Sequence, residues 1–193
     1  MLVVCSGQRT EPDYFKGLKG RLRNPAVQIR LKAKVCAPRD LVEYARRIAP
    51  AGGDEFDEVW CVVDSDEFDL EPAVALAAKL DVRLAVSNPC FELWLLLHHQ
   101  ACEAPLCDAK AVLRQLIKQV SGYQKNGLRF ADFEAGVADA LRRAERLDPT
   151  GCDHGCDPSS GVWKLVQLNN GGWPSTLSRY PPVVVPVGSA VHP

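Results

Sequence analysis

Residues 1–100 are built from four short apolar runs, each followed by a stretch with helical spacing, and this alternation restricts the folds open to the chain. Leu2–Cys5 is apolar and β-branched throughout, as a strand buried on both faces must be. Residues 27–35 alternate instead. Val27, Ile29, Leu31, Ala33 and Val35 fall on one side, and Gln28, Arg30, Lys32 and Lys34 on the other, which predicts a half-exposed strand with a basic outer face. Residues 59–63 and 82–86 read as two more buried strands. Between them, Pro12 opens a helix to about residue 23, with Tyr14, Phe15 and Leu18 on one face. Pro38 opens a second helix, with Leu41, Val42, Ala45 and Ile48 turned inward. Glu71–Leu80 is a third, and Asn88-Pro89 stops the fourth strand and opens a helix over residues 91–99. Strands joined by helical crossovers imply an α/β fold, with a mostly parallel sheet and helices on both faces.

Beyond residue 105 the pattern changes. Residues 109–120, 130–147 and Val162–Leu168 read as helices, a helical C-terminal extension on the α/β frame. From Gly171 the chain is rich in Gly, Pro, Ser and Val, with Arg179 its only charge, so residues 171–193 read as an extended or disordered tail. Hydrophobic residues make up 47% of the 193, enough for one compact core without a disulfide or metal staple. The most apolar run, Phe91–Leu97, is interrupted by Glu92 and is too short for a bilayer span, so no membrane association is expected. No basic leader precedes Leu2, so no export signal is expected. Cys5, Cys36, Cys61 and Cys90 lie in or beside apolar segments, which suits buried thiols in a reducing cytoplasm.

The net charge of −1 excludes a generally cationic nucleic-acid coat but conceals a local asymmetry. Residues 1–50 carry eleven Lys and Arg against four acids, whereas residues 51–72 carry nine acids and no base. Such blocks can be plain solvated faces, or a basic surface for phosphates beside an acidic pocket for a divalent cation.

In an open parallel sheet, ligands gather at the carboxyl ends of the strands, and three features fall there. Asp64-Ser65-Asp66 follows the third strand. On extended backbone an i, i+2 pair puts both carboxylates on one side, where they repel unless a proton or a cation such as Mg²⁺ lies between them. An acidic turn would have the same spelling. Ser6-Gly7-Gln8-Arg9-Thr10-Glu11-Pro12 links the first strand to the first helix. Gly7 permits a tight turn, Glu11 would lie beside the strand end, and Thr10 could serve simply as helix N-cap. Ser87-Asn88-Pro89-Cys90-Phe91-Glu92 follows the fourth strand, with Asn88 placed to cap the helix and Glu92 in its first turn. A carboxylate in so apolar a helix needs a partner. Neither G-x-x-x-x-G-K-[ST] nor G-x-G-x-x-G is present. His98, His99, Cys102, Cys107, Cys152, His154 and Cys156 have irregular spacing without C-x-x-C, so structural zinc is not expected, and no Cys has a matched His that would make it a nucleophile.

Three blocks together resemble the RloB-like (AbiLii-type) family: residues 4–15 (Val-Cys-Ser-Gly-Gln-Arg-Thr-Glu-Pro-Asp-Tyr-Phe), residues 59–68 (Val-Trp-Cys-Val-Val-Asp-Ser-Asp-Glu-Phe) and residues 87–94 (Ser-Asn-Pro-Cys-Phe-Glu-Leu-Trp). Weaker echoes lie at Gly122-Tyr123-Gln124-Lys125 and at residues 157–166, so the resemblance spans residues 1–168. It implies a Toprim-like (Rossmann-like) core over residues 1–105, with a helical extension over residues 106–170 packed on it. It also implies a nuclease-like role in bacterial phage defence or abortive infection, acting on RNA or DNA phosphodiesters with Mg²⁺ or Mn²⁺, commonly beside an ATPase encoded nearby. Asp64 and Asp66 match the Asp-x-Asp that holds the cation. Ser6 stands where the family usually has Glu in Cys-Glu-Gly, the expected metal ligand or general base. Two readings follow. In the first, Glu11 or Glu92 completes a catalytic set of Glu11, Asp64, Asp66 and Glu92. Glu11, Asp64 and Asp66 then hold the metal, and Arg9, Asn88 and Lys125 contact substrate, with Arg30, Lys32 and Lys34 as further phosphate contacts. In the second, the chain is a weak or inactive subunit that binds an ATPase, nucleic acid or a nucleotide signal.

Overall fold

The computed structural model describes residues 1–21, 29–65, 68–102, 104–105, 108–152 and 154–168. The tail expected over residues 171–193 lies outside them, as do Val27, Gln28 and Asp66. The described residues form a five-stranded sheet: β1 (Leu2–Cys5), β2 (Arg30–Ala33), β3 (Val59–Asp64), β4 (Arg83–Asn88) and β5 (Ser159–Ser160). The strand order is β2-β1-β3-β4-β5, with every pairing parallel except β4 with β5. This is the expected mostly parallel, Rossmann-like α/β fold. The helices are α1 (Thr10–Arg21), α2 (Pro38–Ile48), α3 (Glu71–Leu80), α4 (Phe91–Leu97), α5 (Ala109–Gln119), α6 (Val137–Leu147) and α7 (Val162–Leu168).

The period-2 alternation of the strands divides the core between the two faces. Val3, Cys5, Trp60, Val62 and Ala85 point to one face and pack with Tyr14, Phe15 and Leu18 of α1 and with α4 to α7. Leu2, Val4, Cys61, Val63 and Val86 point to the other, against Leu41, Val42 and Ala45 of α2 and Ala77 of α3. All seven residues of α4 are buried, which accounts for its nearly unbroken apolar run. Gly17 is required in α1, because a Cβ there would lie 2.1 Å from the Cβ of Phe130.

Several boundaries differ from the sequence reading, each for a local reason. β2 is shorter than residues 27–35. It is an edge strand whose last bond to β1 runs from Lys34 N to Cys5 O, so Ala33 and Val35, expected to face inward, are exposed. The helix expected over residues 130–147 begins only at Val137. Before it come two 3₁₀ turns, Phe130–Asp132 and Glu134–Gly136. Side chains at i and i+3 eclipse in 3₁₀ geometry, which suits Phe130 against Tyr14 and Phe133 against His98 and His99. α4 stops at Leu97. The next residue, His98, bonds Trp94 O through Nδ1 and Tyr14 Oη through Nε2, and burial holds its pKa down at about 3. β5 carries no apolar signature, yet Ser160 pairs with Ser87 and their hydroxyls lie 2.9 Å apart.

Candidate active site

β1 connects to β2 on one side of the sheet, and β3 lies on the other side of β1, so a topological switch point falls between β1 and β3. Ser6 N donates to Val62 O and Ser65 N to Ser87 O, which brings the ends of β1, β3 and β4 to one edge. A cleft of about 220 Å³ opens there. Its walls include Gly7, Arg9 and Glu11 from the β1–α1 connection, Asp64 from the end of β3, Glu92 from α4, and Lys125.

Glu11 is 5% exposed. Its Oε1 accepts from Gly7 N at 3.0 Å, and a Cβ on Gly7 would lie 2.0 Å from Glu11 Oε2. Gly7 is thus present for close approach rather than for an unusual backbone angle. Burial, and then the Glu92 carboxylate, raise the Glu11 pKa above its ordinary value against the pull of its hydrogen bonds and Lys125. Asp64 is the last residue of β3, and its Oδ1 accepts from Phe91 N at 2.9 Å, linking the strand end to the start of α4.

Glu92 is 3% exposed and has the partner its burial demands: Lys125 Nζ lies 3.1 Å from Oε1. Tyr123 Oη donates to the same oxygen at 3.5 Å. Burial would lower the Lys125 pKa, but the charge and hydrogen bond of Glu92 outweigh it and raise the pKa. Thr10 Oγ1 donates to Lys125 O at 2.9 Å and so pins this distant segment to α1.

Glu11, Asp64, Glu92, Arg9 and Lys125 therefore meet at one cleft, whereas Asn88 does not reach it. Asn88 Nδ2 donates to Cys156 O instead. It also does not cap α4, because the helix starts at Phe91 with Cys90 at N-cap, and the cap is supplied across the sheet edge by Asp64. Thr10 is likewise not an N-cap: α1 begins at Thr10 itself, so its hydroxyl is turned to Lys125. In the basic strand, Arg30 pairs with Glu55, and Lys34 Nζ lies 4.7 Å over the Tyr44 ring. Tyr123 and the anchoring role of Thr10 escape sequence reading, because both contacts join residues far apart in the chain.

Among the described residues, no three His, Cys, Asp or Glu side chains are gathered closely enough to hold a metal ion. Asp66 lies outside those residues. The donor chemistry nonetheless fits a hard divalent cation: the cleft offers the carboxylates of Glu11, Asp64 and Glu92 and no sulfur or imidazole donor among its described lining residues. Among the described residues, no helix is long and apolar enough to cross a membrane.

Comparison with known proteins gives one family. The family model for RloB-like protein matches residues 1–168. No curated protein and no solved structure matches the chain.

Proposed function

Since the chain belongs to the RloB-like family, we propose that it is a Toprim-like, metal-dependent phosphodiesterase acting on nucleic acid in phage defence. The observation that carries this reading is the convergence of Glu11, from the first turn of α1 after β1, and Asp64, at the carboxyl end of the adjacent parallel strand β3, on a cleft they share with Arg9 and Lys125. Glu92 pairs with Lys125, and Glu11, Asp64 and Asp66 are the carboxylates assigned to Mg²⁺ or Mn²⁺. When bound, the cation would supply charge for the phosphate and acidify a water.

The protein's own groups do the rest. Glu11 has one oxygen fixed by Gly7 N–H, which leaves the other to hold the cation or to take a proton from water. It therefore takes the role of the acid missing at Ser6. Arg9 is exposed and Lys125 half-exposed, so both can reach phosphate oxygens and fix the backbone in the cleft.

Ser6 itself favours a second reading, a catalytically weak subunit that binds nucleic acid or an ATPase. Mn²⁺-dependent cleavage of an RNA and DNA panel separates the two. Cleavage by natural protein that is lost in Asp64→Asn and in Glu11→Gln supports the enzyme. General-base catalysis contributes about 10²–10⁴-fold, so Ser6→Glu should accelerate an enzyme that lacks its usual base and leave unchanged one in which Glu11 has replaced it. No cleavage by natural protein or by Ser6→Glu, even with the neighbouring ATPase, would leave only the binding subunit.

A further inference from the structure

The carboxylate cleft continues into a second cavity of about 300 Å³, with which it shares Gly7, Glu11, Asp64 and Lys125. The character of the wall changes along this path. The second cavity is faced by Val35, Cys36, Pro38, Phe68, Cys90 and Ala109, and Ser6 also lines it. Phe68 is 46% exposed and Val35 is 64% exposed. Single exposed apolar side chains are common on any protein surface and need no explanation. Here two of the four large exposed hydrophobic side chains among the described residues flank one cavity, and that cavity opens directly onto the carboxylates.

A ligand filling both halves must carry an anionic group beside a flat apolar one. The anionic group would lie where Arg9, Lys125 and a carboxylate-held cation meet, and the apolar group would lie against Phe68. A nucleotide within a strand has this composition. The positive charges fall at the phosphate end, where Arg9 and Lys125 line the cleft and Lys125 also lines the second cavity. A base can lie on Phe68 only if its own face is uncovered, and duplex stacking covers it. The apolar wall offers contact to any base, so binding should be tolerant of sequence.

We propose that Phe68, with Val35, forms a base-stacking subsite that selects single-stranded nucleic acid. The proposal rests on the phosphodiester reading of the adjoining cleft and adds the strandedness of the substrate.

The test is fluorescence anisotropy on the full chain, with Ca²⁺ in place of Mg²⁺, using labelled mixed-sequence RNA and DNA strands of about 12 nucleotides and the matching duplexes. Natural protein should bind single strands more tightly than duplex. Phe68→Ala should weaken single-strand binding about tenfold while changing duplex binding less than about twofold, because aromatic–base stacking is lost only where a base is free. Phe68→Trp should restore binding, and unchanged circular dichroism and Tm should accompany both variants. Single-strand binding by Phe68→Ala equal to that of natural protein overturns the subsite and leaves this face to a protein partner. Tight duplex binding with weak single-strand binding by natural protein also overturns it, while leaving the phosphodiester reading in place. Binding of neither form removes both. Asp64→Asn, assayed in parallel, should lose cleavage yet keep the Phe68-dependent preference.

Discussion

Gly7→Ala isolates the contact that holds Glu11 in the cleft. The added Cβ would lie 2.0 Å from Glu11 Oε2, 2.3 Å from Oε1 and 2.4 Å from Cδ, so the carboxylate must leave its place. Gly7 does not have the positive φ that would penalise alanine by itself, so the cost is the collision alone. The displaced carboxylate gives up its 3.0 Å bond from Gly7 N in a site where it is 5% exposed. A hydrogen bond to a charged group contributes about 1.5–3 kcal/mol. We expect Gly7→Ala to destabilise by about 2 kcal/mol, a fall in Tm of roughly 4–8 °C for a chain of this size. The assay is urea or thermal unfolding in a double-mutant cycle with Glu11→Ala. Once Glu11 is truncated there is nothing to collide with, so alanine at position 7 should then cost less than about 0.5 kcal/mol. Equal destabilisation in both backgrounds would refute the reasoning, because the strain would then lie in the backbone rather than between these two residues. On the proposed phosphodiesterase reading, Gly7→Ala and Glu11→Gln should both lower cleavage.

Two further outcomes follow from the charges. Lys125→Met leaves the buried Glu92 with no counter-charge beside the Cys90 thiol and the long Tyr123 bond, whereas Glu92→Gln leaves a half-exposed lysine that water can solvate. The first should cost about 1–2 kcal/mol in urea unfolding, discounted from the value for a fully buried pair, and the second less than about 1 kcal/mol. The raised pKa of Glu11 means that the native state binds more protons than the unfolded one between the ordinary carboxylate pKa and the raised value. Stability therefore falls as pH rises through that interval. Glu11→Gln should remove this slope and be the more stable protein at pH 7, as read from urea midpoints across the interval; a parallel pH profile for the two proteins would contradict it.

The frame was legible because its cues are local. The apolar run of β1, the Pro38 start of α2 and the helical spacing of α3 and α7 fall where these elements are found. Once β1 and β3 are parallel neighbours, their carboxyl ends must share an edge, so Glu11 and Asp64 could be brought together without coordinates. What failed depended on partners distant in sequence. Alternation over residues 27–35 assumes a neighbour along the whole strand, and β2 has one only as far as the end of β1. Asn88 looked like a cap because it precedes a helix, but Cys156 O, remote in the chain, takes its amide. The two serines of β5 have no pattern to read; they become a strand only because β4 offers an open edge.

The same distinction bears on how the site is completed. The β-α frame alone would bury Glu92 without a counter-charge and set it against Glu11, whose pKa it raises. Tyr123 and Lys125, which answer Glu92, come from the segment between α5 and the first 3₁₀ turn, held to α1 through Thr10. The C-terminal helices thus do more than cover one face of the sheet. Lys125 pairs with Glu92 and its charge also acts on Glu11 and Asp64, so this one segment sets the charge balance of all three described carboxylates of the cleft.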